Sequence, residues 1–410
     1  MRILRVISSM DPTMGGPCQG IRNLAPELDA LGCANEIVCL DDPASSYLAE
    51  EKLTVHAIGK ASGPWARHPG LVPWLGENLP RFDAVIIHGL WQYASYAVTK
   101  SMRQLRRDQT YTKLPRVYVM PHGMLDPWFQ NEPSRRIKAY RNWVYWKLIE
   151  HRTISEATGV LFTCQKELEL SRLPFCPYRP QQEINVGYGV AEPPARTDSM
   201  DQTFRDTCPQ LGTQPFLLFL SRIHPKKGVD LLINAYARLA EQADAVKDFP
   251  ALVIAGPTDS EYANNMQRNA ASHQLLRNCQ EPKEGPGIIF PGMLQGDAKW
   301  GAFYGCEAFV LPSHQENFGI SVVEALACGK PVLISDQVNI FSDIEADGAA
   351  FISNDELPGV TNLLARWLST QQRERIRLQD SAFKCYRKRY LPTAAAQKIT
   401  KSIDQKWGHQ

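Results

Sequence analysis

Short apolar segments with the composition of β-strands alternate with helix-like segments along both halves of the chain. Parallel strands cannot be joined by a tight turn and need a crossover, which is usually a helix. The alternation therefore predicts an α/β fold in which parallel sheets are covered by helices. The predicted strands are residues 3–7, 36–40, 54–58, 84–88, 116–120 and 159–163 in the first half, and 216–220, 252–255, 287–291, 308–311, 331–334 and 349–352 in the second. The predicted helices of the first half are residues 20–31, 93–107, 135–156 and 165–172.

A polar stretch that is rich in proline, residues 191–200, separates the two halves and has the character of a linker. The chain has 410 residues, which is too long for one hydrophobic core and suits two domains. We therefore expect an N-terminal domain over residues 1–195 and a second α/β domain over residues 196–390. A last helix, about residues 393–407, is expected within the segment 391–410.

Charge and cysteine content narrow the classes of function. The formal net charge is only +2, from 45 basic and 43 acidic residues, so no nucleic-acid partner is expected. The ten cysteines form no Cys-x-x-Cys and no zinc-like spacing, which predicts reduced thiols in a reducing compartment. Residues 1–9 lack the long apolar region of a signal peptide, and no run of 18 apolar residues occurs. These features predict a cytoplasmic protein without a membrane-spanning helix.

Two glutamates, Glu316 and Glu324, flank a predicted junction between a strand and a helix. The strand 308–311 leads into a loop that carries Glu316, and Gly319 permits a tight turn before an apolar helix that ends near Gly329. Free backbone N–H groups at the start of that helix favour an anion between the two carboxylates. A sugar nucleotide fits this pattern, with hydroxyls at both ends and phosphate in the middle. Either glutamate alone has an ordinary alternative as a solvated helix or loop residue.

Two cations, Arg222 and Lys227, follow the predicted strand 216–220 and precede a glycine and an amphipathic helix. A diphosphate leaving group needs its charge neutralised as the bond to the sugar breaks. A planar guanidinium and a lysine ammonium can do this without a metal ion. A basic loop alone is usually just solvated. The strand before this loop and the glycine and helix after it are what favour a phosphate-binding role.

These motifs resemble the family-4 (GT4) retaining glycosyltransferases, which have the GT-B fold of two Rossmann-like parallel-sheet domains facing across a cleft. The resemblance covers nearly the whole chain and is densest from about residue 214 to 352. It implies that the domain 1–195 binds the acceptor, that the domain 196–390 binds the nucleotide sugar, and that the helix in the segment 391–410 crosses back onto the N-terminal domain. A run from His122 to Trp128, His-Gly-Met-Leu-Asp-Pro-Trp, is most similar to bacterial enzymes that build exopolysaccharides or lipid-linked glycans. The other matching motifs are Gly15-Gly16, Ser221-Arg222-x4-Lys227-Gly228 and Pro312-Ser313-x2-Glu316-x-Phe318-Gly319-x4-Glu324-Ala325-x-Ala327-x-Gly329-x-Pro331-Val332.

The resemblance implies roles for individual residues. The Gly15-Gly16 loop is expected to reach the donor diphosphate and sugar, although an isolated Gly-Gly is more often a plain turn. His122 is expected beside the transferred sugar in a positioning or polarising role, although a lone histidine is more often structural; His88 is a further candidate. The expected catalytic residues are Arg222, Lys227, Glu316 and His122. The expected donor-binding residues are Gly15, Gly16, Arg222, Lys227, Glu316, Phe318, Gly319, Ile320 and Glu324.

The function that this resemblance implies is the transfer of a hexose from a nucleoside-diphosphate sugar to a hydroxyl of a glycan or lipid-linked acceptor. Retention of anomeric configuration is implied, and no carboxylate stands out as a covalent nucleophile. The chain contains no Asp-x-Asp, so we expect no metal and no cofactor besides the donor substrate. A sugar-nucleotide epimerase, a phosphorylase and a catalytically silent nucleotide-sugar-binding protein are the alternatives.

Residues 135–152 are basic and aromatic. One interpretation is a helix on the membrane surface, which would place the enzyme at the inner face of the cytoplasmic membrane. The alternative is an amphipathic helix whose aromatic residues, Trp143 and Trp146 among them, pack on the N-terminal sheet.

Overall fold

The computed structural model describes residues 1–108, 111, 113–243, 249–277 and 281–404. The chain divides into two compact units, Glu192–Tyr390 and the remainder, which comprises Met1–Ala191 and the segment that begins at Leu391. The boundary lies four residues before the expected position at 195/196. The reason is that residues 192–195 contact the second unit: Glu192 pairs with Arg387, and the Tyr304 hydroxyl donates to the carbonyl of Pro194.

In the first unit, the described residues form a seven-stranded sheet with the order β3-β2-β1-β4-β5-β6-β7. All neighbouring strands are parallel. Because β1 is central and almost every residue of β4 and β5 is buried, the core lies on both faces of this sheet. Its strands are β1 (Arg2–Val6), β2 (Ala34–Cys39), β3 (Thr54–Ala57), β4 (Ala84–His88), β5 (Arg116–Met120), β6 (Gly159–Phe162) and β7 (Glu183–Asn185).

The second unit repeats this architecture, with a parallel sheet that has six strands within its described residues. The strand order is β10-β9-β8-β11-β12-β13, so β8 and β11 are neighbours at the point where the order reverses. Ligands of such sheets bind outside the carboxyl ends of the strands at this point. The strands are β8 (Phe216–Leu220), β9 (Ala251–Ala255), β10 (Ile288–Ile289), β11 (Ala308–Leu311), β12 (Val332–Ser335) and β13 (Ala350–Ser353).

Helices connect the strands and cover the sheets. A π-helical segment, Trp146–Glu150, joins two of them, and short 3₁₀ turns occur at Pro12–Met14, Leu79–Arg81, Pro133–Arg135, Pro209–Leu211 and Pro225–Lys227. The α-helices are α1 (Gly16–Ala30), α2 (Ser46–Ala49), α3 (Leu71–Asn78), α4 (Tyr93–Arg107), α5 (Trp128–Asn131), α6 (Arg136–Tyr145), α7 (His151–Glu156), α8 (Gln165–Ser171), α9 (Asp198–Thr207), α10 (Val229–Glu241), α11 (Glu261–Ser272), α12 (Gly296–Gly305), α13 (Ile320–Ala327), α14 (Phe341–Ala346), α15 (Leu357–Leu368), α16 (Gln372–Arg389) and α17 (Pro392–Asp404).

The predicted α/β class is confirmed, and each predicted strand has a counterpart in the structure. Strand β7 was not predicted, because three half-buried residues carry too little periodicity. The expected linker, residues 191–200, is wrong at its end: Thr197 caps α9 and accepts a hydrogen bond from the backbone N–H of Met200. The predicted last helix begins at Pro392, and the part beyond residue 404 lies outside the described residues.

Nine cysteines are free thiols, most of them buried, and Cys279 lies outside the described residues. Burial raises the pKa of several of these thiols, including Cys208 to about 12. The buried thiols whose pKa is raised are therefore core thiols rather than reactive ones. Over the described ranges, no helix has the length and apolar composition needed to cross a bilayer.

The last helix, α17, belongs to the first unit and packs against α1. Its buried residues include Ala396 and Ile399. The Thr393 hydroxyl donates to Glu27 at 2.9 Å, and the Tyr118 hydroxyl in β5 donates to the carbonyl of Ser402 at 2.9 Å.

Candidate active site

In the second unit, Lys227 ends a 3₁₀ turn that follows β8. Gly228 comes next with φ of +64°, and a Cβ on it would lie 2.1 Å from the carbonyl oxygen of Pro312. Only glycine fits this contact, because a side chain would collide with backbone. The turn after β8 is thereby held against the loop after β11, and the two loops bring their charged residues together.

Lys227 and Glu316 form an ion pair in which Nζ donates to Oε2. Lys227 is 7% exposed. Burial alone would raise the pKa of Glu316, but Lys227, Lys226 and Arg222 outweigh it, and the pKa lies below its ordinary value. Glu316 is therefore an ionised acceptor at neutral pH.

The backbone around Glu316 is fixed from both sides. Its N–H donates to the carbonyl of Gln337 at 2.9 Å, and its carbonyl accepts from the N–H of Asn339 at 2.9 Å. Gly319 adopts φ of +76°, and a Cβ there would approach Glu316 Cγ to 3.2 Å. The loop therefore holds Glu316 beside the start of α13, where Gly319 provides no side-chain cap for the helix N–H groups.

Glu324 lies on α13, as predicted, and is also paired with a lysine. Lys299 on α12 donates from Nζ to Oε1 of Glu324 at 2.7 Å. Burial raises the pKa of Glu324, and Lys299 offsets only part of this effect. Lys299 was missed in the sequence because it lies 25 residues before its partner in an unremarkable helix.

The remaining expected residues of this unit differ in exposure. Arg222 is exposed just beyond β8, and Ile320 is half-buried in the first position of α13. Phe318 is buried, and its ring meets Tyr390 edge-on at 5.7 Å between centroids. The Phe318 side chain thus packs inside the unit and anchors the loop.

In the first unit, His122 follows β5 and adopts φ of +53°, which is unusual for a residue with a side chain. The turn is secured by the carboxylate of Glu167, which accepts from the N–H of Gly123 at 2.6 Å and from the N–H of Thr163 at 2.8 Å. His122 is half-buried, and its Nε2 lies 2.9 Å from Nδ1 of His88. Burial and Arg5 lower the pKa of His122 to about 3, so the ring is neutral at physiological pH.

The Gly15-Gly16 turn is held by Tyr188, a residue missed in the sequence. Gly15 has φ of +90°, and the Tyr188 hydroxyl donates to the carbonyl of Gly16 at 2.5 Å. The Tyr188 ring also meets His122 edge-on at 6.1 Å. The structure therefore connects the glycine turn to His122 through one tyrosine.

Two families match the chain: "Glycosyl transferase 4-like domain" over residues 15–183 and "Glycosyl transferases group 1" over residues 201–383. The chain belongs to the GT4-type glycosyltransferases. Its fold is GT-B: it is similar to Anabaena Alr3699/HepE in complex with UDP and glucose, with a TM-score of 0.73 and 17% identity over 98% of this chain and 99% of that one. The glycosyltransferase WaaG, involved in lipopolysaccharide biosynthesis, is similar at a TM-score of 0.63 and 15% identity over 97% and 99% of the two chains.

Curated relatives of this GT4-type chain match it over shorter segments. The serotype-specific mannosyltransferase WbdA of Escherichia coli is 31% identical over 140 residues, which are 34% of this chain and 16% of WbdA. The D-inositol 3-phosphate glycosyltransferase of Kribbella flavida is 34% identical over 118 residues, which are 28% of this chain and 26% of that enzyme. Both relatives are thus matched over much less than two thirds of their own length.

Proposed function

We propose that this GT4-type chain transfers a hexose from a nucleoside-diphosphate sugar to a hydroxyl of a glycan or lipid-linked acceptor, with retention of configuration. The observation that carries the proposal is the buried Lys227–Glu316 pair beside the uncapped start of α13. In this pair, a buried cation and an ionised acceptor lie beside a helix start that has no side-chain cap, at the carboxyl edge of the sheet. A donor offers phosphate and hydroxyl groups, and these are the groups that such an arrangement recognises.

Each charged residue has one role in the proposal. Arg222 and Lys227 stabilise the diphosphate as its charge develops, Glu316 accepts hydrogen bonds from the transferred sugar, and Glu324 accepts from the ribose diol. The ammonium of Lys227 has three N–H donors, so it can keep its bond to Glu316 while it binds a phosphate oxygen. His122 positions the sugar, and the Gly15-Gly16 turn allows the backbone to approach the donor.

The proposed step is a displacement on one face of the sugar. The bond from C1 to the diphosphate oxygen breaks as a bond forms from C1 to the acceptor oxygen. The acceptor hydroxyl loses its proton to an oxygen of the departing diphosphate, so that nucleoside diphosphate and a glycoside with the original configuration are formed. Since Arg222 and Lys227 supply the positive charge, we propose that no metal ion takes part.

A screen of donors tests this function. The comparisons support a nucleotide sugar, because Alr3699/HepE was solved with UDP-glucose and WbdA is a mannosyltransferase. UDP-, GDP- and ADP-sugars are tested for protection against thermal unfolding and then for release of nucleoside diphosphate with glycan acceptors. A true donor at a hundred times its Kd should add about 2.7 kcal/mol of stability. The anomeric configuration of the product, read by NMR, tests retention.

Two results of this screen would contradict the proposal. Protection without turnover across the acceptor panel would indicate a silent nucleotide-sugar-binding protein. Conversion of the donor into an epimer without an acceptor would indicate an epimerase.

We also propose that α6 and the π-helical segment dock on an anionic membrane. Ile137, Tyr140 and Leu148 are strongly exposed, and Trp143 is 48% exposed. Residues 135–149 contain five basic residues and no acidic one, which complements an anionic lipid surface. The expectation that Trp143 and Trp146 both face the core is wrong for Trp143, because only Trp146 is buried, against Phe175. The cytoplasmic face of the membrane is the proposed location.

Sedimentation with lipid vesicles tests this docking. Binding to phosphatidylglycerol-containing vesicles should exceed binding to phosphatidylcholine vesicles and should weaken with salt. The double variant Ile137→Glu, Trp143→Glu should lose most of this binding. Ile376→Glu, which changes an exposed isoleucine on α16, is the matched control and should bind as the wild type does. Equal binding by both variants would exclude this surface.

A further inference from the structure

Arg5 is a completely buried arginine in the central strand of the first unit. Its Nε donates to Oδ1 of Asn35 at 3.1 Å, and its NH1 lies 3.2 Å from Nε2 of His88. These partners are an amide and an imidazole, not carboxylates. Burying a guanidinium is costly, and burial lowers the pKa of Arg5 to about 10, which still leaves it charged at neutral pH. A fixed cation therefore faces one nitrogen of His88.

This contact decides which nitrogen of His88 carries the proton. A guanidinium has only donors, so Nε2 of His88 must be the acceptor. Burial, His122 and Arg5 hold the pKa of His88 well below its usual value, so the ring is neutral. A neutral imidazole that accepts at Nε2 carries its proton on Nδ1.

The proton on His88 in turn fixes the position of the proton on His122. Nδ1 of His88 lies 2.9 Å from Nε2 of His122, and the two rings are stacked at 5.2 Å between centroids. Since His88 donates from Nδ1, His122 must accept at Nε2. His122 is also neutral and therefore carries its proton on Nδ1. Because Nε2 is occupied, Nδ1 is the nitrogen that remains for a ligand of this half-buried ring.

We infer that Arg5, acting through His88, holds His122 in the Nδ1–H tautomer and so makes His122 a hydrogen-bond donor rather than a base toward its ligand. Arg5 and His88 are positioning residues in this chain of contacts. If the proposed function holds, the Nδ1–H group donates to an oxygen of the transferred sugar or of its acceptor. Proton removal from the acceptor is then left to the departing diphosphate.

The tautomer can be measured directly in the wild-type protein without any substrate. The nine histidines are labelled with ¹⁵N, and long-range ¹H–¹⁵N spectra distinguish a protonated ring nitrogen from an unprotonated one. His122→Gln and His88→Gln assign the signals by their loss. We expect protonated Nδ1 and unprotonated Nε2 for both His88 and His122. A proton on Nε2 of either ring would overturn the inference.

Variants of His88 test whether the contact chain is the cause. His88→Phe keeps a ring but removes both nitrogens, so His122 should then populate both tautomers, and kcat/KM should fall about tenfold. In His88→Gln, the amide oxygen can accept from Arg5 while the NH₂ group donates to His122, so the Nδ1–H tautomer should persist. His56→Phe removes an imidazole from β3 of the same sheet and should leave the His122 signals unchanged.

The outcomes separate this inference from the proposed function. An unchanged His122 tautomer in His88→Phe would overturn the role of His88 and Arg5. If that variant does not fold, the wild-type spectrum still decides the tautomer. If the tautomer is as expected but no donor is turned over, the proposed function fails and the contact chain stands.

Discussion

The two units share a parallel-sheet architecture but assemble their candidate functional groups in different ways. In the second unit, Lys227 and Glu316 come from two short segments and neutralise each other. In the first unit, Arg5 lies in β1, His88 ends β4 and His122 follows β5, and the two rings are neutral beside a buried cation. Charged side chains of the second unit are thus held by opposite charges, whereas the neutral rings of the first unit are held by hydrogen bonds that set their direction.

A buried glutamate sharpens this contrast. Glu316 and Glu324 of the second unit each pair with a lysine. Glu150 of the first unit is completely buried and accepts the N–H of Trp91 at 2.8 Å. Burial raises its pKa to about 7, the Trp91 N–H and the Ser95 hydroxyl oppose this effect, and no cation among the described residues does so. A carboxyl group that no cation compensates should behave differently from the lysine-paired ones.

The largest effect is expected for the cations of the second unit. Arg222→Ala and Lys227→Ala should each lower kcat/KM by a factor that corresponds to about 2–4 kcal/mol of lost transition-state stabilisation. The reason is that each variant removes a charge-assisted contact to the leaving group. Arg222 is exposed, so its variant should fold normally. Lys227→Ala should also lose stability, because it leaves Glu316 without its buried partner. Steady-state kinetics and thermal unfolding measure the two effects.

Arg238→Ala, an exposed arginine on α10, is the control for these variants and should keep full activity. If both single variants, Arg222→Ala and Lys227→Ala, keep near-native turnover, neither cation takes part in the mechanism.

For the uncompensated carboxyl group, Glu150→Gln should stabilise the protein at pH 8 more than at pH 5. The raised pKa means that the folded state holds a proton that the unfolded state releases, so wild-type stability falls as pH rises from about 4.5 to about 7. The loss is on the order of 3 kcal/mol at most. Glutamine keeps the acceptor for Trp91 and does not ionise. Urea unfolding at both pH values measures the difference.

Glu169→Gln, which changes an exposed glutamate on α8, should show no such dependence on pH. An equal stability change at pH 5 and pH 8 in Glu150→Gln would refute the account of Glu150.

The two lysine-paired glutamates should separate kinetically. Glu324→Gln should raise the donor KM by a factor that corresponds to about 1–3 kcal/mol of lost binding free energy, with kcat nearly unchanged. The reason is that ribose contacts are equal in the ground state and the transition state. Glu316→Gln should lower kcat more than it raises KM, because sugar contacts strengthen in the transition state. Steady-state kinetics of both variants at saturating acceptor measure kcat and the donor KM. The reverse pattern, or a pure KM effect in both variants, would make the assignment wrong.

The smallest effect is expected from metal removal. Activity should persist in saturating EDTA, since Arg222 and Lys227 supply the charge that a metal ion would otherwise provide. Complete loss that Mg²⁺ or Mn²⁺ restores would show that the two cations are not sufficient.

The sequence predicted the second unit's charged groups better than those of the first, for a physical reason. Glu316, Gly319 and Glu324 lie within one turn-and-helix segment, so their spacing determines their geometry. Lys299 was not predictable, because only the packing of α12 brings it to Glu324. In the first unit, an arginine inside the apolar strand 2–6 was a signal that could have been used, because buried charges need a reason. Its partner His88 could not be identified without the strand order, which places β4 beside β1.

The position of α17 has a consequence for how the chain is made. Helix α17 covers α1 and reaches the Tyr118 hydroxyl of β5, yet it follows the whole second unit in the chain. Domains generally fold in the order in which the ribosome releases them. Here the second unit emerges complete while α1 still lacks its cover. The first unit to be synthesised is therefore the last to be completed. The apolar surface of α1 that α17 covers stays exposed on the nascent chain until residues 391–404 have been released.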